Sequence, residues 1–103
     1  MFKGKREPDG RGVRSLYKVI LKLRTFKECE DFFSDLCTPA ELVSMADRWK
    51  VARLLDQGIP YREIYRRSGV STATVTRVAR ALVYGESGYR KLLDRLKRRT
   101  DAK

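Results

Sequence analysis

The sequence predicts an all-α fold of about six helices. Along most of the chain, apolar residues recur at intervals of three and four, the spacing that places them on one face of a helix. No convincing strand pattern, in which apolar and polar residues alternate, is found. Helix start and stop signals, above all Thr38-Pro39 and Gln57-Gly58, divide the apolar pattern into separate helices. We therefore expect short helices joined by turns.

The length of 103 residues is enough for one small hydrophobic core. Hydrophobic residues make up 42% of the chain and charged residues 36%, a composition typical of a folded and very soluble domain. We find no internal repeat. The predicted organisation is a flexible basic arm over residues 1–14, one all-α domain over residues 15–99 and a frayed tail over residues 100–103.

The first half of the chain predicts three helices. The first begins at Ser15, and its apolar stripe consists of Leu16, Val19, Ile20 and Leu23. The second runs from Phe26 to Leu36. The third begins with Thr38 as N-cap, Pro39 in the first helical position and Glu41 three residues after the cap, and ends at Gln57-Gly58. Its apolar residues surround so much of the helix that one small monomer offers too little surface to bury them.

The second half predicts a helix-turn-helix over residues 60–84. A short helix with the sequence YREIYRRS has Ile64 on its inner side, Gly69 interrupts it, and Ser71 caps a further helix that runs to about Tyr84. With ~100° of rotation per residue, the side chains of this second helix of the motif fall on two faces. The inner face carries Val75, Val78, Ala79 and Leu82, whereas Ala73, Arg77, Arg80 and Tyr84 lie opposite with Thr72 and Thr76 on the flank. A basic sixth helix follows a loop at residues 85–88.

The charge distribution indicates a polyanionic partner. The net charge is +11, and the isoelectric point is near 10.1. Residues 1–27 carry nine basic and two acidic side chains, residues 28–47 carry six acidic and none basic, and residues 48–103 carry fifteen basic and five acidic. Such segregation predicts one surface that faces nucleic acid and another kept away from it.

The residue types in this sequence do not support catalysis or metal binding. The chain has no histidine, no phosphate-binding glycine loop and no cluster with metal-ligand spacing, so we predict no catalytic residue, no metal and no cofactor. We expect no membrane span, because no segment is apolar over enough residues, and no signal peptide, because residues 1–14 have no apolar stretch after their basic residues. Cys29 and Cys37 could pair, but we favour two semi-buried, reduced thiols, as in a cytoplasmic protein.

Two adjoining segments carry a family resemblance. The stretches LCTPAELVSMADRWKVARLLDQG and IPYREIYRRSGVSTATVTRVARAL, which together run from Leu36 to Leu82, resemble the bacterial Trp repressor superfamily and, more closely, its YerC/YecD-like branch. The resemblance implies an intertwined homodimer in which the first three helices and the last interlock across a two-fold axis. It also implies that two helix-turn-helix units protrude and read a two-fold related operator about one helical turn apart.

Residues of the helix-turn-helix are the predicted DNA contacts. Carried over from the family, the contacting positions are Arg62, Ser71, Thr72, Ala73, Thr74 and Thr76. Arg62 takes the place of an arginine that reads a guanine. Tyr61 occupies the place of a polar contact residue, although one residue is missing in the segment before Arg62. The outward-facing Arg77 and Arg80 complete the predicted DNA-binding set.

Only part of the family's small-molecule effector site is matched in this sequence. Thr38, Arg48 and Arg77 match the threonine and the two arginines that surround the corepressor in the family. The family glycine that makes room for the indole is Val78 here, and a serine near the ligand amino group is Ala81. These replacements argue against L-tryptophan as the effector. The alternative is that Thr38 is only a helix cap and both arginines face solvent or phosphate.

The expected function is that of a bacterial transcription regulator. Its expected partners are double-stranded DNA and a second copy of the chain, and its expected place is the cytoplasm, on the nucleoid. The alternative is a basic module that binds RNA or the ribosome without reading DNA sequence. The chain lacks the clustered aromatic residues on which single-strand binders stack bases, which counts against that alternative.

Overall fold

A computed structural model describes residues 10–101, with side chains as far as Arg98. Over these residues the chain forms six helices and no strand, as the sequence predicted. The helices are α1 (Gly10–Ile20), α2 (Phe26–Leu36), α3 (Pro39–Asp56), α4 (Tyr61–Ser68), α5 (Thr72–Tyr84) and α6 (Gly88–Asp101). The chain divides into two compact units between Thr38 and Pro39. The first contains α1 and α2, and the second contains α3 to α6.

Helix α1 begins five residues earlier than predicted. It starts at Gly10 rather than Ser15, because Val13 extends the apolar spacing of Leu16 and Ile20 one turn toward the N-terminus. The glycines at positions 10 and 12, which suggested a turn, are accommodated within the helix. Part of the predicted basic arm is therefore helical, and residues 1–9 of the arm lie outside the described residues. At the other end of the chain, α6 continues to Asp101, two residues into the predicted frayed tail, while residues 102 and 103 are not described.

Helix α2 has the predicted bounds and a cap at its N-terminus. The Thr25 side chain accepts a hydrogen bond from the Glu28 amide at 3.0 Å, and the Glu28 carboxylate accepts one from the Arg24 amide at 2.9 Å. The first bond satisfies an amide that the helix leaves without an internal partner, and the second fixes the chain just before the cap. Neither α1 nor α2 contains a buried residue. Accordingly Cys29 is exposed rather than semi-buried, whereas Cys37 is half-buried, and both thiols are free.

The second unit contains the core. Helix α3 packs against α4, α5 and α6, and α5 also packs against α4 and α6. The fully buried side chains come from three helices, since Val51, Ile64, Val75 and Val78 are each at most 1% exposed. Ala52, Val70 and Leu93 complete the buried set. This core attaches the helix-turn-helix to α3.

A partly buried carboxylate joins α3 to α6. The Asp56 side chain is 10% exposed and lies 2.7 Å from Arg90 Nη1 and 3.0 Å from Lys97 Nζ. The hydrogen bonds from Arg90 and then Lys97 hold the pKa of Asp56 below its usual value of 3.8. Such bonds between the last turn of one helix and another helix fix their relative position.

We expect Asp56→Asn to lower stability and to flatten its dependence on pH. Because the folded pKa of Asp56 is depressed, its contribution is present above the unfolded pKa of about 3.9 and is lost as pH falls through the folded value. Loss of the charged bonds should cost about 1.5–3 kcal/mol at pH 7. Urea unfolding at pH 7 and below pH 4 measures the difference. Equal differences between variant and wild type at both pH values would contradict this assignment.

Among the described residues, no helix combines the length and the apolar character needed to cross a lipid bilayer.

Candidate nucleic-acid interface

The turn between α4 and α5 is held by one glycine and one serine. Gly69 has φ 74°, a left-handed conformation that side chains with a Cβ resist, and its amide donates to the Tyr65 carbonyl at 2.8 Å. The Ser68 hydroxyl donates to the Ile64 carbonyl at 2.6 Å and accepts from the Val70 amide at 3.0 Å. The buried Val70 then anchors the turn in the core. This is the connection that a helix-turn-helix requires.

Helix α5 is capped as predicted. The Ser71 Oγ accepts a hydrogen bond from the Thr74 amide at 3.2 Å and donates to Thr74 Oγ1 at 3.1 Å. Capping of this kind stabilises a helix whose hydroxyl and β-branched residues have modest helix propensity. Both hydroxyls are thus oriented within the protein before any ligand arrives. The Thr74 hydroxyl accepts from Ser71 and keeps its own proton for another acceptor.

The two faces of α5 separate as the angular spacing predicted. Val75 and Val78 are buried, and Ala79 and Leu82 are half-buried. The opposite side is exposed, at Thr72, Ala73, Thr76, Arg77, Arg80 and Tyr84. The outward face therefore presents small residues and hydroxyls near its N-terminus, followed by two guanidinium groups. Such a face can approach a base pair closely, accept or donate hydrogen bonds and bind guanine through arginine.

Helix α4 contributes further basic and aromatic side chains. Arg62 is exposed and forms no ion pair with the described residues. Tyr61 and Tyr65, one turn apart, are 50% and 52% exposed. All nine predicted DNA-contact residues thus lie on α4, on α5 or at the Ser71 cap between them, and each is accessible at least in part.

One acidic residue of α4 was not among the predicted site residues. The Glu63 carboxylate accepts from Arg66 Nε at 3.1 Å, from Arg66 Nη2, and from Arg67 Nε at 3.1 Å. Hydrogen bonds from Arg66 and then Arg67 lower the pKa of Glu63, and the same carboxylate raises the pKa of Arg66. The spacing of three and four residues between these side chains is a signal that sequence reasoning could have used.

Of the two predicted effector arginines, which both belong to the second unit, one lines a cavity beside the turn. Arg48 lines a polar cavity of about 180 Å³ between α3 and the turn, with Ser44, Asp47, Gly69, Val70, Ser71 and Thr74. Arg77 is not among the lining residues and is exposed. Thr38 belongs to the first unit. Val78, which stands where the family has a glycine, is 1% exposed and fills the core.

A second cavity lies on the α3, α5 and α6 side of the same unit. It is an open apolar groove of about 420 Å³ lined by Trp49, Ala81, Glu86, Gly88, Tyr89 and Leu92. The rings of Trp49 and Tyr89 stack with centroids 6.4 Å apart. Among the residues that the structure describes, no group of three or more histidine, cysteine or acidic side chains could hold a metal ion.

Comparisons with known proteins give a consistent family assignment. A family model described as Trp repressor protein matches residues 11–97. The uncharacterized protein YerC of Bacillus subtilis is 46% identical over 88 residues, which is 85% of each chain. The Trp operon repressor homolog of Chlamydia caviae is 31% identical over 94 residues, which cover 90% of this chain and 93% of that protein.

Solved structures with the same fold come from two further bacteria. A proposed Trp repressor from Staphylococcus aureus superimposes with a TM-score of 0.82 at 42% identity, covering 86% of this chain and 89% of that one. A TrpR-like protein from Eubacterium eligens gives a TM-score of 0.81 at 40% identity, covering 84% and 90%. Similarity therefore extends over nearly all of the helical chain in both sequence and fold.

Proposed function

The chain belongs to the Trp repressor family, in its YerC-like branch, and from this premise we propose that it is a sequence-specific DNA-binding transcription regulator. The family is one of regulators, so we assign the protein a binding role and no catalytic one. We also propose that it works in the cytoplasm on the bacterial nucleoid, where its target DNA lies.

The outward face of α5 is the observation that carries this proposal. It is exposed, small, hydroxylated and cationic, while the opposite face of the same helix is buried through Val75 and Val78. In helix-turn-helix proteins the N-terminal part of the second helix enters the major groove, and here that part contains Thr72, Ala73 and Thr76. A helix selected only for stability has no need of an accessible row of threonines in this position.

Different residues supply affinity and sequence discrimination. Phosphate contacts orient the protein on the duplex and carry no sequence information, whereas hydrogen bonds to base edges distinguish one sequence from another. We assign base reading to Arg62, Thr72, Thr74, Thr76 and Arg80. Ser71, Ala73, Arg77 and Tyr61 complete the interface through close approach or backbone contacts. The net charge of +11 gives the electrostatic attraction that brings the protein to DNA.

A homodimer accounts for the apolar surface that the chain leaves exposed. Helices α1 and α2 have 11 residues each and bury none of them, and isolated helices of that length are marginal in water. Tyr17, Leu21 and Phe26 in this part of the chain are 61%, 82% and 81% exposed. We propose that a second copy covers these residues and that the dimer reads an operator with two-fold symmetry.

The groove of the second unit belongs to the same proposed interface. Leu92 is 51% exposed at this groove, although Leu93, the next residue of α6, is 4% exposed and faces its own core. An apolar groove of this size on a highly charged protein is the type of surface that an oligomer covers. We propose that side chains of the second copy occupy it.

We propose that L-tryptophan is not an effector of this protein. Thr38, Arg48 and Arg77 retain the residue types of the family's corepressor site, but Val78 occupies the space of the glycine and is committed to the core. The cavity at Arg48 is also small and polar, with Asp47 beside the arginine. Equilibrium dialysis with L-tryptophan is expected to show no binding at concentrations that saturate a tryptophan-controlled repressor.

We expect Arg62→Ala to weaken operator binding far more than binding to random DNA. The operator is first obtained by selecting bound sequences from a pool of random duplexes. Loss of a bidentate contact to guanine costs about 1–3 kcal/mol, or roughly 5- to 150-fold, in each half-site. Binding of the selected operator and of a scrambled duplex at matched salt measures the two losses separately.

Arg62→Lys is the matched variant, because it keeps the charge and removes the planar pair of donors. It is expected to lose most of the operator preference while retaining affinity for random DNA. Equal losses of Arg62→Ala on both duplexes would mean that Arg62 only neutralises phosphate. Tighter binding of a structured RNA than of the selected duplex at physiological salt would instead support the RNA- or ribosome-binding alternative.

A further inference from the structure

Glu63 occupies an unusual place in a helix that is otherwise basic. Helix α4 carries Arg62, Arg66 and Arg67, and Glu63 is its one acidic residue. Both Arg66 and Arg67 bind the Glu63 carboxylate, which is 31% exposed, while their own side chains are 72% and 49% exposed. The cluster therefore lies at the surface and is accessible to a ligand.

The donors that Glu63 occupies are the donors that DNA phosphate would use. Arg66 Nε, Arg66 Nη2 and Arg67 Nε all point to the carboxylate oxygens. A guanidinium binds a carboxylate and a phosphate through the same planar set of N–H groups. In a helix-turn-helix the first helix crosses the DNA backbone, which brings α4 near phosphates. The carboxylate and the phosphates therefore compete for Arg66 and Arg67.

The third arginine of α4 is not involved in this competition. Arg62 has no ion pair with the described residues and keeps its guanidinium group available. Phosphate contacts hold a protein on any sequence, whereas a base contact holds it on the operator. An acid that occupies two arginines and leaves the base-reading one available thus weakens the phosphate contribution, which random DNA and the operator share, and leaves the base contact intact.

We propose that Glu63 is a positioning residue that restrains Arg66 and Arg67 from binding DNA phosphates and so limits the part of DNA affinity that does not depend on sequence. This inference rests on the proposed function and deepens it. Glu63 acts through the two arginines and needs no contact with DNA itself. The lowered pKa of Glu63 keeps it charged throughout the neutral range, so the restraint does not depend on pH under physiological conditions.

The first test needs no DNA. In wild-type protein, the Nε–H groups of Arg66 and Arg67 are expected to exchange slowly with water in 15N NMR spectra, because both are hydrogen-bonded to Glu63. Glu63→Gln should accelerate the exchange, while Glu30→Gln, which makes the same change of net charge on the exposed surface of α2, should not. Fast exchange of both groups in wild type would overturn the proposal.

The second test measures binding to a random duplex as a function of salt. Each arginine released to a phosphate should steepen the plot of log affinity against log salt by about 0.9 and tighten binding about fivefold at 0.15 M salt. Glu63→Gln is therefore expected to bind random DNA at least about fivefold more tightly and to bind the operator more tightly by a similar factor. Equal effects of Glu63→Gln and Glu30→Gln would overturn the proposal, because net charge alone would then explain them.

A double-mutant cycle separates restraint of the arginines from other effects of Glu63. In a chain that carries Arg66→Gln and Arg67→Gln, adding Glu63→Gln should no longer change the salt dependence. A persisting change would contradict action through the arginines. If the proposed function is wrong, the wild-type protein will show no preference for any operator. The exchange and salt experiments would still test whether Glu63 restrains Arg66 and Arg67. Melting temperatures establish that every variant is folded.

Discussion

Replacing Ile64 with alanine is expected to remove about 2–5 kcal/mol of folding stability, one of the largest effects that a substitution in this chain can have. Ile64 is fully buried and connects α4 to the core formed with Val51, Val70 and Val75. Its loss leaves a cavity under the helix-turn-helix, where α4 has only eight residues and little stability of its own. Urea unfolding at a fixed protein concentration measures the change.

Two variants serve as controls for this prediction. Ile64→Val removes one methyl group and should cost about 0.5–1.5 kcal/mol. Tyr65→Ala alters the next residue, which is 52% exposed, and should stay within about 0.5 kcal/mol of wild type. A cost below about 1 kcal/mol for Ile64→Ala would show that α4 packs more loosely than the structure indicates.

Replacing Leu92 with lysine is expected to convert the proposed dimer into monomers and to reduce operator affinity about 100-fold or more, because two linked half-sites gain affinity from simultaneous binding. Leu92 is half-exposed at the apolar groove beside Trp49 and Tyr89. A lysine there would place a charge in the proposed interface without a partner. The added positive charge cannot itself repel DNA, so weaker binding would point to loss of the dimer.

Light scattering at several protein concentrations reports the oligomeric state of this variant. Leu92→Met, which keeps the volume and the apolar character, should remain dimeric and bind the operator as wild type does. Circular dichroism distinguishes a folded monomer from an unfolded chain. If Leu92→Lys stays dimeric at micromolar concentration and retains operator affinity, Leu92 lies outside the interface and the groove has another purpose.

The sequence predicted five of the six helices closely because their signals are local. The Ser71 cap, the glycine at position 69 and the Thr38-Pro39 start each act on the neighbouring backbone, so their effect can be read without knowing the fold. The predicted start of α1 was wrong because the glycines at positions 10 and 12, which are typical of a turn, lie within the helix. Whether a glycine ends a helix depends on what the following apolar residues pack against.

The sequence alone determined the all-α class, the helix-turn-helix and the division of α5 into a buried and an outward face, since helical periodicity is a property of the chain itself. Only the tertiary structure decided which apolar residues are buried. Leu92 and Leu93 are adjacent in sequence and similar in type, yet the first is half-exposed and the second is in the core. Likewise, only the tertiary structure shows that Asp56 joins α3 to α6 through Arg90 and Lys97. Burial and pairing depend on distances between elements, and residue type and spacing do not specify those distances.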